Sequence, residues 1–214
     1  MRAVDLHIDL TDDPYRVIRL AKFLGFSILG FDLGENHDIR DNIVDACKRE
    51  KVGCIFRADI KVFNKLKDLE EDRTVYVAKN VNEAKLSKVP LYVLGAGKEV
   101  EEVIRVKEFC TRKPKANFLV EFDFAPLRTY NGISLLNYLR SLARLMDTCR
   151  KRRIMTIFSS GAEDADALVP PRILYKFYNI LGGCRSSRDV LYEIPYRELI
   201  ERLDLGPKVV GGSG

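Results

Sequence analysis

His7 and His37 are the only imidazoles in the chain, and both stand close to carboxylates. Asp5 and Asp9 flank His7, Asp32 and Glu35 precede His37, and Asp59, Glu121 and Asp123 recur further on, next to apolar runs. Carboxylates and imidazoles gathered at strand ends are the donor set of a metal-assisted phosphoesterase, where ions polarise phosphate and water. Such a centre would draw on His7, Asp9, Asp32, His37, Asp59 and Asp123. The same positions also fit a hydrogen-bonded ion network inside a barrel, with Arg57 neutralising part of the acidic charge. Two imidazoles are few for a multinuclear centre of borderline metals, which favours the network. Neither histidine has a serine or cysteine beside it in a nucleophile signature, so no Ser/His/Asp or Cys/His mechanism is indicated.

The second chemistry is polyanion binding. Arg150, Lys151, Arg152 and Arg153 stand in a row before a short apolar run, Ile154 to Phe158, which Ser159, Ser160 and Gly161 close. The four cations either finish a helix, where positive charge complements the dipole, or meet phosphate. The formal net charge of +5 is unevenly spread: residues 1–60 carry 9 basic and 11 acidic side chains, so the remainder carries +7. Arg105 to Lys115 holds five cations against Glu108, and Arg140 to Arg153 holds six against Asp147. Basic charge concentrated in one part of a globular chain is the footprint of a polyanion partner, although helix faces are also charged for solubility. Arg172 carries the sharpest argument. Pro171 fixes a helix start, and a cation there works against the helix dipole, so it serves something other than helix stability. The competing use of Arg172 is an ion pair with Glu163, Asp164 or Asp166.

The elements that must position these groups alternate. Val4 to Leu10 alternates strictly, with Val4, Leu6, Ile8 and Leu10 on one face and Asp5, His7 and Asp9 on the other. Asp12 or Asp13 caps a helix with Pro14 at its first position, and Gly25 stops it. Strands follow over residues 27–33, 52–60, 74–78, 89–94 and 118–124, and the run 154–158 is the seventh. Helices are expected over about 38–51, 81–86, 98–110, 132–149 and 170–182, then over 186–192 and 196–203. Strand then helix, about seven times with short connections, predicts an α/β fold with a parallel sheet. Gly95 and Gly97 lack the rest of a dinucleotide or P-loop fingerprint, so a TIM-like parallel β/α barrel is the better reading. In such a barrel the helices cover the outside and the polar strand positions turn inward.

The chain of 214 residues is 46% hydrophobic and 31% charged, which fits one domain over residues 1–205 with a flexible glycine-rich tail over 206–214. It has neither a membrane-spanning stretch nor a leader-type apolar segment, and a cytoplasmic protein with no membrane partner is expected. Cys47, Cys54, Cys110, Cys149 and Cys184 have no metal-type spacing, and their odd number argues against a disulfide framework.

Several short motifs, in order, resemble one family. They are Val4 to His7, the run Glu121 to Arg128, Arg152 with Arg153, Ser159 to Ala162, Pro171 and Arg172 followed by Leu174, Leu181 with Gly182, and Pro195 with Leu199 and Ile200. Together, across nearly all of residues 1–205, they resemble the archaeal ribonuclease P protein component 3 family. That resemblance implies a barrel related to the polymerase and histidinol phosphatase superfamily, serving as a noncatalytic protein of an RNA enzyme that removes 5′ leaders from precursor tRNA. The implied partners are the ribonuclease P RNA and protein component 2. No cofactor is expected on this chain, with Mg only on the RNA subunit. Two positions depart from the pattern. His7, Ile8 and Asp9 stand where related hydrolases have His-x-His, and Phe124, Ala125 and Pro126 stand where family members often read Leu-Arg-Pro. The basic residues around the seventh strand and the helix after it are then expected to bind RNA phosphates: Arg128, Arg150, Lys151, Arg152, Arg153 and Arg172. The competing class is a metal-dependent phosphoesterase at the acidic barrel mouth, and a third is a scaffold whose basic face serves solubility alone.

Overall fold

The structure, a computed structural model, describes residues 3–9, 13–32, 39–60, 74–113 and 117–202. Seven strands carry it: β1 (Ala3–Asp9), β2 (Phe26–Asp32), β3 (Gly53–Asp59), β4 (Thr74–Ala78), β5 (Tyr92–Gly95), β6 (Phe118–Asp123) and β7 (Thr156–Ser159). They pair in chain order and every pairing is parallel. A parallel bridge between Ile8 and Ala162, just past β7, closes the sheet into the expected barrel. The glycine-rich tail, Asp12 and His37 lie outside the described residues.

The crossovers are helices α1 (Pro14–Leu24), α2 (Arg40–Glu50), α3 (Val81–Leu86), α4 (Val100–Arg112), α5 (Ala125–Thr129), α6 (Gly132–Arg152) and α7 (Pro171–Ile180). Local chemistry sets several of their ends. The Asp13 carboxylate accepts the Arg16 N–H at the start of α1, and Gly25 ends that helix in the left-handed region at φ 100°. Asn80 caps α3 by accepting from Asn82 and Glu83. At the C-terminus the expected pair of helices is two short wide-turned π-helices, α8 (Asp189–Glu193) and α9 (Tyr196–Glu201).

The barrel is filled in layers. Val4, Leu6, Ile28, Ile55, Val75, Val93, Leu119 and Ile157 pack inside it, and Ile194, Leu199 and Ile200 of the C-terminal segment join them. Most of these strand positions lie in the N-terminal halves, so Ile194 and α9 plug the bottom of the barrel, while Val190 and Leu191 of α8 pack into the outer core. Above the apolar layer, towards the C-terminal strand ends where barrel enzymes keep their chemistry, the inward positions turn polar.

One expectation about β1 needs correction. Val4 and Leu6 face inward, but the pairing of β1 with β2 shifts register between Asp5 and Ile8, and Ile8 joins the outer core with Phe31 and Ile18. The strict alternation is therefore broken by a bulge, which re-aims the side chains beyond it. The bulge frees the Leu6 carbonyl, which accepts from Arg57 Nη1 at 2.6 Å. Gly30 of β2 makes room for this: a Cβ there would lie 2.5 Å from the Leu6 oxygen.

Candidate functional site

Arg57 of β3 and Glu121 of β6 reach across the barrel axis and form a two-pronged ion pair, both contacts 2.8 Å long. Their side chains are only 4% and 3% exposed, so the pair is sealed from water. Burial, the largest influence on Glu121, opposes its charge, yet the Arg57 guanidinium holds its carboxyl down to about 2. Ser159 of β7 donates its hydroxyl to the same carboxylate. Arg57 Nε keeps one buried N–H without a partner among the described residues.

Above this pair His7 is held from both sides. Its Nδ1 lies 2.7 Å from Asp123 and its Nε2 lies 3.1 Å from Asp9. Burial and the Arg57 charge disfavour the protonated ring, but the two carboxylates outweigh them and push His7 up to about 9. Near neutral pH the ring is therefore an imidazolium that donates from both nitrogens. Asp59, at the end of β3, pairs with Lys79 at 3.1 Å. The inward placement expected for Arg57, Asp59, Glu121 and Asp123 is what the strands produce.

The donor atoms of His7, Asp9 and Asp32 lie within 4.8 Å of one another, which is the beginning of a metal centre. A ligating imidazole must offer a lone pair, and both His7 nitrogens are taken up by Asp9 and Asp123, so an ion here would have to displace one of those two contacts. Asp123 and Asp59 are already engaged by His7 and Lys79.

Asp5 does not join this mouth group, contrary to its expected face. It is fully buried at the β1–β7 seam, where its Oδ1 accepts the N–H groups of His7 and Ser160. Burial pushes it up to about 6, and its second oxygen has no partner among the described residues. The motif from Ser159 to Ala162 closes the barrel. Ser160 donates to Asp5, Ala162 bridges Ile8, and Gly161 sits at φ 57° where a Cβ would run into the Asp123 carboxyl. Long-range seams of this kind leave no periodic signal in sequence.

The six cations expected to meet RNA do not form one patch. Helix α6 runs antiparallel to its strands and ends at Arg152, and Arg153 follows in the left-handed region at φ 57°. Arg150 to Arg153 thus sit at the bottom of the barrel, just before β7. Arg172, the second residue of α7, and Arg128 of α5 follow strand ends and sit at the top. Arg128 is occupied by protein: its guanidinium donates to the carbonyls of Ser160, Gly161 and Ala167. That clamp on the loop after β7 was invisible in the sequence. Arg150 and Lys151 share Asp147 at 2.7 and 2.6 Å. Arg152, Arg153 and Arg172 are exposed and make no hydrogen bond or ion pair through their side chains among the described residues. The proposed competitors for Arg172 are engaged elsewhere in part, Asp166 with Arg16 and Asp164 with the Ala167 N–H.

Four of the five cysteines are buried, as expected of small core residues. Cys47 interacts with Cys54 and Cys149 with Cys110, and these contacts, followed by burial, raise the Cys47 and Cys149 thiols above their ordinary range. They are inert.

No protein-family model and no curated protein sequence matches the chain. Among solved structures, a chain in the cryo-EM structure of archaeal ribonuclease P with mature tRNA matches at a TM-score of 0.71, covering 99% of this chain and 99% of that one at 14% identity. The HpcH/HpaI aldolase from Desulfitobacterium hafniense DCB-2 matches at a TM-score of 0.51, covering 96% and 94% at 11% identity. What is shared is the fold. Both matches run the length of the chain, so the seven-stranded barrel with its surrounding helices is the whole unit being compared. No helix among the described residues is long and apolar enough to cross a membrane.

Proposed function

We propose that this chain is an RNA-binding protein subunit of a ribonuclease P, assisting the RNA subunit in removing 5′ leaders from precursor tRNA without a catalytic site of its own. The observation that carries the reading is the end-to-end likeness to a chain of the archaeal ribonuclease P particle, at 99% coverage of both chains. The aldolase covers nearly as much but fits less well, at a TM-score of 0.51. Two features of the chain support the choice. The groups at the barrel mouth are spent on one another, with Arg57 on Glu121 and His7 on Asp9 and Asp123. The cations outside it, Arg152, Arg153 and Arg172, have no protein partner among the described residues. Arginine suits phosphate because its planar fork holds two oxygens at once.

In this reading the ribonuclease P RNA is the polyanion, protein component 2 is the protein partner, and any Mg belongs to the RNA. The place of work is the cytoplasm. Arg150 to Arg153 contribute at the bottom of the barrel and Arg172 at the top, while Arg128 holds its loop. The test is binding of the purified chain to ribonuclease P RNA across a salt series. Arg172→Ala should weaken binding and flatten the log–log salt dependence by somewhat less than one unit, the effect of one lost phosphate contact. Arg172→Lys should recover only part of it. A wild-type chain with no salt-dependent affinity for that RNA, and no effect on precursor cleavage when reconstituted with it, would defeat the proposal.

A further inference from the structure

A groove of about 540 Å³ runs between α4 and α6 on the outside of the barrel. Lys107 lines it from α4, and Arg144, Lys151 and Arg152 line it from α6. Its floor is small, made of Thr111, Ala143 and Thr148, so a bulky ligand can approach both helices. From the presence of RNA as partner argued above, on which this inference rests, we infer that the groove receives the sugar–phosphate backbone of double-helical RNA.

Helix dipoles do not account for these charges. Cations in a last turn complement the dipole, and that explains Arg112 of α4 and Arg150 to Arg152 of α6. The effect fades within one turn. Lys107 precedes the end of α4 by five residues, and Arg144 and Arg140 precede the end of α6 by eight and twelve. Ion pairing does not account for them either. The side chains of Lys107, Arg140 and Arg144 have no hydrogen bond or salt bridge among the described residues. Asp147, the groove's one carboxylate among the described residues, already pairs with Arg150 and Lys151. A face charged for solubility intersperses both signs evenly; here Lys107, Arg144, Lys151 and Arg152 outnumber Asp147 by four to one.

The arrangement also selects the form of RNA. On a helix of 3.6 residues per turn, Arg140, Arg144 and Lys151 fall on one face and mark a line roughly 16 Å long. Lys107 faces that line from the neighbouring helix, so cations approach the ligand from two sides. No aromatic ring lines the groove. Proteins that hold single strands stack the bases on aromatic side chains, whereas duplex RNA is held by its shape and phosphates without base readout.

The experiment measures fluorescence anisotropy of the full chain with a 20-base-pair RNA duplex in two unrelated sequences, and with a U-rich single strand of equal length. Wild type should bind both duplexes alike and the single strand more weakly. The variant Lys107→Gln/Arg144→Gln should retain its melting temperature, lose about tenfold in duplex affinity at moderate salt, and flatten the salt dependence by roughly one to two units. Arg140→Glu, an exposed change on the same face of α6 just beyond the groove, should act in the same direction. Unchanged duplex binding in both variants, while Arg153→Ala/Arg172→Ala still weakens binding to ribonuclease P RNA, would overturn the groove and leave the RNA reading standing. A preference for the single strand that both groove variants abolish would overturn the choice of duplex. Poly-glutamate competing as well as RNA would assign the groove to an acidic protein segment instead. No binding of wild type to any RNA would remove both readings together.

Discussion

Raising the pH should unlock the barrel mouth through His7 alone. The ring titrates near 6.5 in the unfolded chain and near 9 in the fold. A raised folded value means that the contribution is fully present below pH 6.5 and is lost as pH rises through about 9. The difference corresponds to about 3 kcal/mol, taking about 1.4 kcal/mol for each pH unit across that window. The assay is urea denaturation at intervals from pH 6 to 9.5, for wild type and His7→Gln. Glutamine can donate to one carboxylate but carries no charge, so the variant should be less stable at pH 6 and should approach wild type above pH 9. Because the chain holds only two histidines, NMR gives two imidazole titrations, and one of them should have a midpoint near 9. If both rings titrate at or below 6.5, and the gap between the two proteins stays flat with pH, the double clasp by Asp9 and Asp123 does not exist as described.

The other expectations follow the same geometry. Arg57→Met should cost about 3–5 kcal/mol because it strands a buried carboxylate, and Arg57→Met/Glu121→Met should recover most of that; a double variant as weak as the single in urea denaturation would show that the pair's worth lies elsewhere. Asp5 has its folded value raised to about 6, so its contribution is fully present below about pH 3.8 and disappears as pH rises through 6. Asp5→Asn should therefore flatten the stability profile between pH 4 and 6.5 by up to about 3 kcal/mol, read by thermal melts at each pH. Elemental analysis of protein purified without chelators should find no stoichiometric Zn or Mn; a tightly held ion, with phosphoesterase activity lost on His7→Ala, would falsify the spent-mouth reading.

The parts of this structure legible in the sequence are those fixed by neighbours along the chain. Thr74 to Ala78 reads as a strand and is one residue for residue, and Val81 to Leu86 reads as the short helix it forms. Asp13, Pro14 and Gly25 delimit α1 because capping is decided within one turn. The inward turn of Arg57, Glu121 and Asp123 follows from strand period once the sheet is parallel and covered. What could not be read depends on strands meeting at long range. Asp5 has the same period as His7, but the bulge and the Ser160 N–H send it to the seam. Arg128 looks like a surface cation until the loop after β7 folds over it and presents three carbonyls. A run of cations and a lone arginine twenty residues later look like one site, yet the β7 crossover puts them at opposite ends of the barrel.

That separation bears on how the two ends of the molecule divide their work. A catalytic mouth holds its acids, bases and cations in reserve, so that substrate rather than protein completes their hydrogen bonds. Here most of the mouth groups already meet protein partners: Glu121 takes two prongs of Arg57 and the Ser159 hydroxyl, and His7 takes Asp9 and Asp123. Removing Arg57 alone would leave the Glu121 carboxylate buried without its countercharge, which makes this pair a lock on the barrel interior. The reserve lies instead on the outer helices, where Lys107, Arg140, Arg144 and Arg153 have found no protein anion among the described residues. In the proposed function these exterior cations are the groups left to meet RNA phosphate, on the flank and not in the barrel mouth.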